Sequence, residues 1–171
     1  MQIPTRSGRF LGLTVLWLAL LQVPAIFASD SADKDEAYFR AAGGFASFSE
    51  MVRLGVKKMA LSAAMEPSRM DNFMAEAERI ASENGLQIYR ETDFLVTGLF
   101  PAEATDGLHV ILIYKGDTLN QYLALKEIKA SLIEANRYSE TAKAEIARVL
   151  GHLLSYPDEV IDQKLAKSGS E

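Results

Sequence analysis

Val110-Ile111-Leu112-Ile113-Tyr114 is the stretch on which the fold turns. No polar residue interrupts the run, and Gly116-Asp117 stops it almost at once. A strand with one wet face alternates apolar and polar side chains, whereas an unbroken short run bounded by a turn signal reads as a strand covered on both faces. The stretch predicts a central strand with helices layered on each side.

Upstream of this strand the apolar period is two. Leu86 to Arg90 and Phe94 to Leu99 read as strands around a turn at Glu91-Thr92-Asp93, and Pro101 to Gly107 as a longer loop. Downstream, Thr118-Leu119-Asn120-Gln121 has capping-box spacing and opens a helix to about Ala135. A second helix from about Ser139 to Ser155 turns Ala142, Ile146, Val149, Leu150 and Leu153 inward, and Pro157 starts a short third.

Further upstream, Met70, Phe73, Met74, Ala77, Ile80 and Ala81 share one helical stripe opposite Glu76, Glu78, Arg79 and Glu83. Ser68 is placed to cap this helix and Asn84-Gly85 to stop it. Val56 to Ser62 reads as a strand after the break at Gly55, with helix as the alternative, and Ser47-Phe48-Ser49-Glu50 opens a helix near Phe48. The order predicts an α+β fold: a small mixed sheet of three to four strands, helices packed on it, and a helical C-terminal third. A strand, crossover helix and strand would place a right-handed parallel pair in that sheet. Residues 45–167 form the single domain, preceded by a polar tether at 29–44 and followed by a disordered tail at 168–171.

The first 28 residues read as a signal peptide. Arg6 and Arg9 give the positive start, Phe10 to Leu21 the apolar run, Pro24 the break, and Ala28 the small residue before cleavage. The apolar run falls well short of the about 20 residues that a spanning helix needs. Export to a periplasm is expected, secretion is the alternative, and the membrane is met only through the signal peptide.

Composition removes most function classes. The chain of 171 residues carries a formal charge of −5, which the loss of Arg6 and Arg9 makes more negative, so its surface does not suit nucleic acid. The absence of cysteine excludes thiol nucleophiles, cysteine-ligated metals and disulfides. Two histidines exclude a multi-histidine metal site. Met70 and Met74 lie one helical turn apart, but without a Met-X-Met repeat they read as core rather than Cu(I) ligands. The acidic loops, Glu91 with Asp93 and Glu103 with Asp106, match no calcium-loop spacing, so neither metal nor cofactor is expected. No nucleophile elbow, zinc-protease helix or phosphate-binding glycine loop occurs, and Ser31-Ala32-Asp33-Lys34 fits Ser-X-X-Lys only within the tether.

The candidate ligand-binding residues are Lys126, Tyr122, His109, Tyr114, Glu91, Arg148 and His152. Lys126 shares a helical stripe with Leu119, Tyr122, Leu123, Ala130 and Ile133, so its stem crosses an apolar surface. A buried amine there would serve as base, Schiff-base former or anion anchor; a snorkelling one would only cover the core. Leu125, Ile128 and Leu132 make a second row, leaving one row for the core and one for a partner. His109 shares a strand face with Ile111 and Ile113, and His152 shares a helix edge with Arg148 and Glu145. Tyr114 and Tyr122 belong to a tyrosine-rich half of the chain whose apolar rings and polar tips suit pockets and interfaces. The expected function is that of an exported non-enzymatic domain binding an envelope protein or a small ligand. Its alternatives are an envelope enzyme pairing His109 or His152 with a loop carboxylate, and a self-associating structural subunit.

Overall fold

The computed structural model describes residues 26–168; residues 1–25 of the expected signal peptide and 169–171 of the expected tail lie outside the described residues. A long helix, α1 (Ile26–Arg53), leads to a short strand, β1 (Met59–Leu61), a helix, α2 (Pro67–Glu83), and a strand, β2 (Gln87–Glu91). A loop with one 3-10 turn at Ala102–Ala104 reaches β3 (Val110–Tyr114), and α3 (Thr118–Glu134), α4 (Glu140–Leu153) and α5 (Asp158–Ser168) follow.

The fold is α+β with a three-stranded sheet in the order β1-β3-β2. Every residue of β3 is buried, as its two-sided apolar character requires, and that is why it takes the centre. Both neighbours pair with it antiparallel, Met59 and Gln87 each standing opposite Tyr114. β1 and β2 therefore run in the same direction without touching. The adjacent parallel pair expected from the β1-α2-β2 crossover does not form, because β3 occupies the slot between them. The sheet is wholly antiparallel, and the segment after Gly55 resolves as strand at Met59–Leu61.

Two cores flank the sheet. Ile111 and Ile113 face α1 and α2, meeting Phe45, Val52, Met70 and Phe73. Leu112 and Tyr114 face the other way, onto Tyr122, Leu125, Ile146 and Leu150 of α3 and α4. Met70 is fully buried and Met74 packs against the first core, so both thioethers fill space.

Two segments differ from their sequence patterns. Residues 29–44, expected as a tether, belong to α1, which opens at Ile26 rather than near Phe48. Phe45 and Tyr38 each meet Phe73 edge to face, at 5.6 and 5.9 Å, and Ala41 and Ala42 pack on the core. This packing outweighs the cost of Gly43-Gly44 inside a helix, about 1 kcal/mol each. Phe94–Leu99, expected as a strand, is a loop holding one isolated bridge, Thr97 to Phe100. Phe94, Leu95 and Leu99 are buried, but backbone groups of the loop are taken by side chains of α3, described below.

The first four helices end in the same way. The residue after the cap has positive φ at Gly55, Gly85, Asn136 and Ser155. The following amide reaches back to a carbonyl in each case: Val56 to Met51, Leu86 to Ala81, Arg137 to Leu132 and Tyr156 to Gly151. These are Schellman motifs, which satisfy carbonyls that the helix leaves unpaired. Starts are less uniform. Ser139 accepts from the Ala142 amide at 3.3 Å, whereas Thr118 and Ser68 lie inside their helices rather than capping them. Among the described residues no helix is long and apolar enough to cross a membrane.

Candidate functional site

The groups singled out on α3 converge on the loop after β2. Alternation along β2 places Tyr89 and Glu91 on the α3 side and Arg90 on the α2 side. Glu91, only 3% exposed, accepts from Lys126 Nζ at 3.1 Å through Oε2 and from the Asp93 amide at 2.9 Å through Oε1. Lys126 also donates to the Asp93 carbonyl, lies 3.6 Å from the Asp93 carboxylate, and passes over the Tyr122 ring. One turn along, Lys129 donates to the Val96 carbonyl at 2.7 Å. The Tyr122 hydroxyl, fully buried, accepts from the Leu95 amide at 3.1 Å. Burial pushes the Tyr122 phenol well above its ordinary value, the Leu95 amide opposes this, and the negative charge of Glu91 reinforces it. Burial also lowers the Lys129 ammonium, against the pull of Asp93.

Tyr122, Lys126 and Lys129 thus do for the 93–96 backbone what a neighbouring strand would do. The snorkelling reading of Lys126 describes its path, with a buried carboxylate at the far end. The amine is a donor to two oxygens, an arrangement that clamps a loop. Beside it lies an open hollow of about 380 Å³, lined by Phe94, Leu95, Val96, Lys126, Lys129 and Ala130 among others.

The histidines do not meet the loop carboxylates. His109 accepts at Nδ1 from Arg90 Nε at 3.0 Å, so its ring proton sits on Nε2, and Arg90 in turn holds Asp71 at 2.6 Å and the Pro67 carbonyl at 3.2 Å. His152 pairs with Asp158 at 2.7 Å and Arg148 with Asp162 at 2.6 Å, which fastens α5 to α4 on the surface. Tyr114 is buried in the second core, opposite Met59 and Gln87. The structure therefore brings together Glu91, Tyr122 and Lys126, keeps Tyr114 in the same core as Tyr122 but with no hydrogen bond to this group, and leaves His109, Arg148 and His152 apart from them. Arg90, Asp71 and Lys129 were missed in the sequence. Alternation in β2 places Arg90 on the face of Ile88, but only the β2–β3 register brings it to His109.

The other open feature is the outer side of α3. Tyr122 and Leu125 point inward between the two apolar rows, so the rows' outer members are left on the flanks. Ile128 is 53% exposed, and with Ala124, Leu132, Ala135, Glu127 and Arg137 it lines a hollow of about 510 Å³. No known protein family, curated protein or solved structure matches the chain.

Proposed function

We propose that the chain is an exported, non-enzymatic domain of the cell envelope that binds a protein partner along the outer side of α3. The observation that carries this reading is the hollow there: an apolar row on a regular helix, open to solvent, with Glu127 and Arg137 at its rim. Such a row suits an amphipathic helix bringing apolar side chains and complementary charges. The polar groups most suited to chemistry are instead engaged in holding loops and helices, Lys126 with Glu91, Arg90 with His109, and His152 with Asp158. Export rests on the charged start, the short apolar run and Ala28 before the polar Ser29.

Two measurements test the proposal. The mature protein should begin at or next to Ser29 and appear in the envelope fraction; intact precursor in the cytosol overturns export. A tagged chain recovered from that fraction should retain a stoichiometric partner that is lost on Ile128→Glu, a surface change that leaves circular dichroism unaltered. Equal recovery by the two proteins, or turnover by the purified domain, overturns the binding reading.

A further inference from the structure

The turn that ends α1 is built like the turn that ends α2, but the outcomes differ. In the α2 motif the residue after glycine, Leu86, is 8% exposed and belongs to the core. In the α1 motif its counterpart, Val56, is 66% exposed, beside Leu54 at 61% and Met51 at 39%. A Schellman turn commonly packs this apolar residue against the last turn of its own helix, and the rest of the fold leaves the α1 copy in water. Gly55 between Leu54 and Val56 has φ +76°.

Lysines follow these side chains in the chain and neighbour one another across the sheet end. Met59 stands opposite Tyr114, so the next positions outward on the two strands are Lys58 and Lys115, both exposed. Lys57 and Lys164 lie 5.3 and 5.8 Å from the centre of the Tyr156 ring, and Lys57 donates to the Leu154 carbonyl. Among the described residues Lys57, Lys58, Lys115 and Lys164 form no ion pair. Of the acids near them in the chain, Glu50 pairs with Arg53 at 3.5 Å and Asp158 and Asp162 with His152 and Arg148, whereas Asp117 meets only the neutral Asn120 amide at 2.6 Å and Glu159 is exposed on α5. In a chain of net charge −5, lysines without ion pairs next to exposed apolar side chains at one end of the sheet are a local departure.

We propose that this end of the molecule docks on an anionic phospholipid bilayer, Leu54 and Val56 entering the headgroup boundary and the lysines meeting lipid phosphates. Apolar tips with exposed lysines beside them match a fluid anionic surface, which supplies both chemistries and needs no shaped counterpart. An acidic protein partner would offer the charge, but it would need a fitted apolar pocket for the tip.

The absence of cysteine makes the test direct. In the full chain, Val56→Cys carries an environment-sensitive fluorophore, Ile128→Cys provides a control on α3, and vesicles of phosphatidylcholine are compared with vesicles containing phosphatidylglycerol. The label at 56 should shift to the blue only with the anionic vesicles, and the label at 128 should not respond, whatever the leading residues do. Lys58→Glu with Lys115→Glu should weaken the response at 56 at least about 25-fold, each lysine near an anionic surface being worth about fivefold. Raising salt from about 0.1 M to about 0.5 M should weaken it as well. No shift at 56, an equal shift with neutral vesicles, or equal shifts at both sites overturns the proposal.

Discussion

Replacing Lys126 by methionine keeps the stem that crosses Tyr122 and removes only the charge at its end. Glu91 is 3% exposed, so its carboxylate would lose one of its two partners in a place that water scarcely reaches. At 3.1 Å the direct attraction is about 5 kcal/mol for an effective dielectric of 20, much of it offset by the desolvation of both ions. Removing one member of a buried pair costs about 3–5 kcal/mol, and because Lys126 keeps a quarter of its side chain in water the lower end applies. Lys126→Met should therefore destabilise by about 3 kcal/mol, read as a lower urea midpoint and a melting temperature down by about 6–12 °C. Glu91→Leu combined with Lys126→Met should recover most of that loss, since an apolar pair leaves no stranded charge. The double-mutant cycle should give a coupling of about 2 kcal/mol. A single-variant cost under about 0.5 kcal/mol, or costs that simply add, would refute the clamp.

Four smaller perturbations read other parts of the structure. Burial raises the Tyr122 phenol in the fold, so its contribution to stability is complete below the unfolded value near about 10 and declines above it by about 1.4 kcal/mol per pH unit. Tyr122→Phe should lose about 1 kcal/mol at neutral pH with the Leu95 bond and show a shallower alkaline decline in urea midpoints; parallel declines refute this. Ser49 is fully buried and its hydroxyl has no partner among the described residues, so Ser49→Ala should stabilise by about 1 kcal/mol, and a destabilised variant would reveal an unrecognised bond. At Gly151 an added Cβ would stand 2.6 Å from Ile161 Cδ1 and 2.7 Å from Cγ1. Overpacking should exceed the helix-propensity gain of about 1 kcal/mol, so Gly151→Ala should lower the melting temperature, and a rise would show that α5 yields freely. Asn136 has φ +52° at the end of α3 and should accept glycine with a gain of about 0.5 kcal/mol in the same assay; a loss would mean that its side chain supports the turn.

Where the sequence was legible, a local pattern and the tertiary structure made the same demand. The apolar run at 110–114 needs cover on two faces, and the layered helices supply it. The α2 stripe ends at Asn84-Gly85, where the Schellman turn also forms. The pattern failed where distant partners decide. Ser29 to Glu36 has no helical period, and α1 persists through Gly43-Gly44 because Phe45 and Tyr38 find Phe73 on another helix. Phe94 to Leu99 has strand-type residues, but Tyr122, Lys126 and Lys129 of α3 take backbone groups of the 93–96 segment, and residue type reports only that the side chains are buried.

The same distinction governs the candidate site. Lys126 stands out in the sequence because a charge on an apolar stripe is locally inconsistent, and such inconsistencies mark function or compensation. Its partners are Glu91 and Asp93, 35 and 33 residues away, and they satisfy it inside the fold, so the inconsistency resolves as compensation. Ile128 shows the opposite history. It looked like an ordinary member of a second apolar row, and nothing in the described fold covers it. Leu54 and Val56 follow Ile128, with glycine between them giving no local sign that an apolar turn would stay in water. Polar groups that look reactive in this chain are closed on one another, and apolar groups that look inert are left open. Its interactions with other molecules should accordingly depend more on Ile128, Leu54 and Val56 than on any of its histidines, and the labelled-cysteine and Ile128→Glu experiments separate those two surfaces.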